Sequence, residues 1–201
     1  MIIRQIKTGG LGNFSYLVGC EKTHEAAVID PSHDIEQILA LADHDHLKIR
    51  FIINTHGHAD HVAGNAELKQ RTGALIVMHK ADAHPHEVDL KLDDTKNFGV
   101  GEICFKVFET PGHTPGSISL YADGQLFTGD TLFVGDSGRT DLAGGHRPAL
   151  GASIRKLMEL PEETVVWPGH DYGPTPYSTL KWEKTHNVNA KEYGFFISPK
   201  G

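Results

Sequence analysis

The sequence predicts an α/β fold in which two β-sheets pack face to face and helices cover their outer sides. Three features lead there: short apolar runs rich in β-branched residues, stretches of helical periodicity set between them, and a second half that repeats the scheme more loosely. At 201 residues, 39% hydrophobic and 22% charged, the chain suits one globular domain spanning 1–201, with 174–201 as a short C-terminal tail.

In the first half the expected strands are "MIIRQI" at 1–6, "FSYLVG" at 14–19, "AAVID" at 26–30, "RFIIN" at 50–54 and "ALIVMH" at 74–79. Each is short, apolar and bounded by turn residues. A helix is expected after Ser32, a suitable N-cap, because Ile35, Ile38, Leu39 and Ala42 fall on one face. A second helix should run from about His61 to Arg71 and end at Gly73. The second half gives strands near 103–109, 117–121, 125–128 and 164–167, and a helix from about Pro148 to Leu160 that buries Leu150, Ile154, Leu157 and Met158. The last thirty residues read as a short helix and an extended tail.

Charge and composition exclude several functions. A net charge of −7 with no run of lysine or arginine lacks the basic footprint of a nucleic-acid binder. The N-terminal "MIIRQIKTGG" has no apolar signal core, and no run of 18 apolar residues suggests a membrane span. A cytoplasmic protein with no membrane partner is expected. Cys20 and Cys104 form no C-x-x-C pair, and both are expected to be buried thiols packed as small apolar groups.

The stretch "NTHGHADH" at 54–61 carries the chemistry. With 14 histidines in the chain, an H-x-H-x-D-H match is expected by chance in only about half a per cent of sequences of this composition. In extended backbone, residues i and i+2 point the same way, so His56 and His58 can share one metal across Gly57. Asp60 and His61 offer a carboxylate and an imidazole slightly further along. Three groups at other strand ends match this need: His113 in "TPGHTPGS", Asp130 in "LFTGDTLF" and His170 in "VVWPGHDYG". Metal chemistry then groups His56, His58 and His113 as one site, and Asp60, His61 and His170 as a second. Asp130 is placed to bridge both. Imidazole and carboxylate suit zinc, iron or manganese, and the absence of thiolate argues against a closed structural zinc site. A water in the open positions would lose its proton near neutral pH and act as nucleophile. His44, His46, His84 and His86 are expected to be surface positions.

With Thr55–His61 as T-H-x-H-x-D-H and His113, Asp130 and His170 downstream, the chain resembles the metallo-β-lactamase superfamily. The resemblance covers nearly the whole length, from "YLVGCEKTHEAAVIDP" to "PGHDYG". It implies a four-layer αβ/βα sandwich with the metal cleft at one edge of the two sheets. "FTGDTLFVGDSGRTD" and "PGHDYG" are similar to glyoxalase II and its persulfide dioxygenase relatives. The glyoxalase II likeness implies a binuclear hydrolase that cleaves S-lactoylglutathione to lactate and glutathione with a metal-bridging hydroxide. Two divalent ions are implied, with zinc first and iron or manganese as alternatives, and Asp60 and Asp130 take part in catalysis. It also implies that Arg139 meets the glycine carboxylate of glutathione and that Tyr172 contacts the same tripeptide. The sequence departs from that group in two ways: only 31 residues follow His170, where full-length members add a helical domain, and Asp141 stands where an aromatic residue is usual. The dioxygenase likeness implies one Fe(II) on His56, His113 and Asp130, acting on glutathione persulfide. A metal-binding module without catalysis is disfavoured by an intact set of seven ligand groups.

Overall fold

In the computed structural model, residues 1–93 and 97–198 are described; positions 94–96 and the end of the expected tail, 199–201, lie outside the described residues. The first sheet holds β1 (Ile2–Thr8), β2 (Asn13–Gly19), β3 (Glu25–Ile29), β4 (Lys48–Ile53), β5 (Leu75–His79) and β6 (Leu90–Leu92), side by side in chain order. The second holds β7 (Phe98–Val100), β8 (Ile103–Glu109), β9 (Ile118–Ala122), β10 (Gln125–Gly129), β11 (Val165–Pro168) and β12 (Ser178–Thr179), again in order. Helices α1 (Ile35–His44), α2 (Ala59–Val62), α3 (Asn65–Thr72), α4 (Arg147–Leu157) and α5 (Leu180–His186) fill the connections.

Alternation along the strands explains the layers. In β2, Phe14, Tyr16 and Val18 face the second sheet and join Phe105, Leu120 and Phe127 in the central core. Leu17, between them, faces outward and packs with Ile38 and Ala42 of α1 and Leu68 of α3. On the far side, Leu126 and Val166 pack against Leu150, Ile154 and Leu157 of α4 and Leu180 of α5. Helix, sheet, sheet, helix is the four-layer order that the sequence predicts. No helix among the described residues is long and apolar enough to cross a membrane.

Several local expectations are corrected. Ser32 does not cap α1: it is buried, its amide donating to Ser15 Oγ at 3.2 Å, and Asp34 takes the N-cap in a left-handed conformation. The helix expected over 61–71 is broken into α2 and α3 around Gly64. The Gly64 amide donates to Pro31 O, and a Cβ there would lie 2.5 Å from Ile35 Cδ1, so a tertiary approach overrides the helical pattern. Cys104 is exposed, on the outer side of β8, while Cys20 is buried as expected. His86 is not a free surface residue: its Nε2–H donates to Gly57 O at 2.8 Å.

Candidate metal centre

Strand ends deliver the polar groups. Asp30 follows β3, residues 54–58 follow β4, His113 lies between β8 and β9, Asp130 follows β10, and His170 lies two residues past β11. β3 and β4 are parallel, as are β10 and β11. Their carboxyl ends meet across the two sheets, because Thr55 O accepts the amide of Ile118 and Gly169 O accepts that of Phe14. His58 leads extended into the single-turn α2, which turns Asp60 and His61 toward the same edge.

The seven groups singled out in the sequence converge. Ligand atoms of His56, His58 and His113 lie within 4.8 Å of one another, and so do those of Asp60, His61 and His170. Asp130, only 8% exposed, stands between the two groups. Its Oδ1 is 3.3 Å from His61 Nε2, and its Oδ2 is 3.4 Å from His113 Nε2 and 3.3 Å from His170 Nε2. Two glycines make room. A Cβ on Gly169 would lie 2.3 Å from Asp130 Oδ1, and one on Gly138 would meet the Asp130 carbonyl.

The hydrogen bonds fix which ring nitrogen faces the cluster. His61 Nδ1–H donates to Asp30 Oδ2 at 3.0 Å, His113 Nδ1–H to Arg139 O at 2.8 Å and His170 Nδ1–H to Leu11 O at 3.2 Å. The Thr55 hydroxyl donates to Asp30 Oδ2 at 2.6 Å, so its oxygen accepts from His56 Nδ1–H at 3.1 Å. Four imidazoles thus present Nε2 lone pairs to one space, the second-layer pattern that orients metal-binding histidines.

Lone pairs packed this way repel unless a cation lies among them. His61 Nε2 and His170 Nε2 are 3.1 Å apart with both Nδ1–H groups committed elsewhere, whereas His113 Nε2 can accept from His58 Nδ1–H at 2.8 Å. His56 Nε2 and Asp130 Oδ1 are buried without a hydrogen-bond partner. The donor set and these orphaned atoms fit divalent ions of the zinc, iron or manganese type. Without metal, a proton serves in part. Burial opposes charge on His61, but Asp130, Asp30 and Asp60 outweigh it and lift its pKa to about 9. Burial, aided by His61, pushes His56 well below the usual histidine range. Burial acts to raise the Asp130 carboxyl, but His61 and His170 hold it well below the usual carboxylate range.

Supporting residues that sequence reasoning did not single out surround this set. Asp30 also accepts the Thr55 amide at 2.7 Å, and Asn13 Nδ2 donates to Asp60 Oδ2 at 2.9 Å. The signal for Asp30 was available: a carboxylate closing the apolar run "AAVI" directly before proline. Asn13 carried none, since it meets Asp60 only through the fold.

Arg139 and Tyr172 border the cleft, a cavity of about 440 Å³ whose rim also includes Leu11, Phe133 and Leu142. Tyr172 stacks on His170 with ring centres 4.6 Å apart and is 58% exposed. Arg139 donates from Nε and Nη2 to the Asp141 carboxylate at 2.6 and 2.7 Å.

Residues 8–170 match the metallo-beta-lactamase superfamily, and the chain belongs to that family. It is 41% identical over 163 residues to a hydroxyacylglutathione hydrolase of Rhodospirillum rubrum, covering 80% of this chain and 62% of that relative. The chain therefore spans less than two thirds of that relative's length. Among solved structures it is similar to ETHE1 from Myxococcus xanthus, at 35% identity and TM-score 0.90, covering 98% of this chain and 88% of that one. It is also similar to TTHA1623, solved in a di-iron-bound form, at 32% identity and TM-score 0.80, covering 92% and 98%.

Proposed function

We propose that the chain is a metal-dependent thioester hydrolase of the glyoxalase II type, acting on S-lactoylglutathione or a related small-molecule thioester in the cytoplasm, with residues 1–201 as one functional domain. His56, His58 and His113 form one ligand group, Asp60, His61 and His170 the other, and Asp130 serves both. The observation that carries this reading is the set of four imidazoles whose Nδ1–H groups are donated outward, with His61, His113 and His170 bringing Nε2 to 3.3–3.4 Å from the Asp130 carboxylate and His56 Nε2 buried beside them without a partner. The hydroxyacylglutathione hydrolase relatives support the thioester substrate.

Two divalent ions bound there supply Lewis acidity and a nucleophile derived from water. The protein's own groups do the rest. Asn13 fixes the Asp60 carboxylate so that one oxygen faces the cluster. Asp130, held anionic at the centre, keeps the two ligand groups at a set spacing. Leu11, Phe133 and Leu142 line the approach and displace water from the acyl group. Tyr172 and Arg139 lie where the thiol portion would rest. The departing thiolate has a pKa near the thiol norm of about 8.5, so the site needs no strong acid to protonate it.

The test is metal content per chain by elemental analysis on protein purified without added metal, together with hydrolysis of S-lactoylglutathione. Two ions and turnover are expected. One observation favours a second reading, an iron persulfide dioxygenase using His56, His113 and Asp130: the fold matches ETHE1 with a TM-score of 0.90 over 98% of this chain. One iron per chain, with oxygen uptake on glutathione persulfide and no thioester cleavage, would replace the first reading with the second.

A further inference from the structure

The turn after β5, "KADAHPHE" at 80–87, donates no ligand to the cluster, yet it touches two of the loops that do. Asp82 is 8% exposed. Its Oδ2 accepts the Gly57 amide at 3.0 Å and the Thr114 hydroxyl at 2.6 Å, and its Oδ1 accepts the Gly116 amide at 2.7 Å. From the same turn, His86 donates to Gly57 O at 2.8 Å. The peptide units on either side of the Gly57 Cα, the residue between His56 and His58, are thus held from one turn, and one carboxylate joins them to the loop that carries His113. The two glycines mark the close approach. A Cβ on Gly57 would lie 3.1 Å from both Asp82 O and His86 Nε2, and one on Gly116 would lie 2.6 Å from the Asp82 carboxyl.

We propose that Asp82, assisted by His86, is a positioning residue that sets the mutual placement of His56, His58 and His113. This inference rests on the metal reading above. Its chemical basis is that each Asp82 oxygen serves a backbone N–H that can only donate. In Asp82→Asn the amide nitrogen must replace one of those oxygens. Whichever way the side chain flips, either Gly57 or Gly116 loses its acceptor and faces a second donor. The Asp60, His61 and His170 group makes none of these contacts, and its supports are Asp30, Asn13 and Leu11.

The inference predicts a defect confined to one ion. Stepwise zinc titration of the metal-free full-length chain against a chromophoric chelator gives two dissociation constants. His58→Ala identifies the constant that belongs to the three-histidine group. Asp82→Asn is expected to weaken that constant about 10–100-fold and leave the other within about threefold. His86→Ala should weaken the same constant by a smaller factor, and His86→Gln, which keeps a donor for Gly57 O, should restore most of it. These histidine variants also carry the test if Asp82→Asn does not fold. Equal weakening of both constants, or of neither, overturns the positioning role. A wild-type chain that takes up no zinc, iron or manganese overturns the metal reading and this inference with it, whereas a metal-replete wild type with unaffected variants overturns the inference alone.

Discussion

His61 depends on a residue far from it in sequence. Its Nε2 faces the cluster because Asp30 holds the proton of Nδ1. In Asp30→Asn, an amide nitrogen turned toward His61 would favour the opposite tautomer and place a proton where a lone pair is needed. Metal affinity of the Asp60, His61 and His170 group is expected to fall about 10–100-fold, read by the same chelator competition; an unchanged constant would refute the tautomer assignment. Arg139 calls for a different scale. Its pair with Asp141 is solvent-exposed, and such screened pairs contribute little. Asp141→Asn should therefore raise kcat/KM for a thioester bearing a carboxylate by no more than about fivefold and leave a neutral thioester unchanged. The candidate ligand groups were legible in the sequence because five of them, His56, His58, His113, Asp130 and His170, lie beside a glycine, and Asp60 and His61 complete the H-x-H-x-D-H spacing. Asp82 and His86 were not, because their partners lie in other loops and, the Thr114 hydroxyl apart, are backbone atoms, which have no residue type to recognise.

At the level of elements, the apolar runs announced β1 to β5 and β8 to β11, while β6, β7 and β12 went unseen. They are three, three and two residues long, too short for alternation to show, and they exist by pairing with a formed neighbour. The break between α2 and α3 was hidden for a related reason: Gly64 is demanded by Ile35 and Pro31, not by its own neighbours in sequence. The loop after β11 yields a prediction of this kind. Gly169→Ala places a methyl 2.3 Å from Asp130 Oδ1 and 3.0 Å from His61 Cε1, so the Asp130 carboxylate must move. On the proposed metal reading, the variant is expected to fold, seen in an unchanged far-UV spectrum, but to retain less than half the wild-type metal after dialysis. At the C-terminal end, buried Glu183 accepts from Ser178 Oγ, Gly135 N and Asn187 Nδ2, yet burial still raises its carboxyl above the ordinary value. A raised folded-state pKa gives stability that is complete below the unfolded value and is lost as pH rises through the folded value. Glu183→Gln removes that loss. The Tm of the variant relative to wild type should rise as pH increases above about 4, the unfolded carboxyl value, and a flat difference would count against an ionising Glu183.

Across the whole molecule, two of the links between the sheets differ in their dependence on metal. One is the apolar core, in which Phe127 of the second sheet lies edge-on to Tyr16 of the first with ring centres 5.1 Å apart. The other is the candidate centre, since His56, His58 and His61 follow a strand of the first sheet and His113, Asp130 and His170 follow strands of the second. An ion held by both sets acts as a cross-link present only in the folded state. At free metal of about 100 times the dissociation constant, one such ion adds about 2.7 kcal/mol, equivalent to roughly 5–10 °C in Tm for a chain of this size. Chelation should remove that increment from the wild type and leave the far-UV spectrum largely intact, because the core remains. Phe127→Ala makes the complementary case: it should cost about 3–5 kcal/mol with or without metal, and the chelator-induced drop in Tm should stay the same size. A chelator effect that vanishes in Phe127→Ala would mean that the two links are one cooperative unit. Additive losses would mean that the metal edge and the apolar centre stabilise the sandwich independently, leaving the edge free to reorganise during turnover without loosening the core.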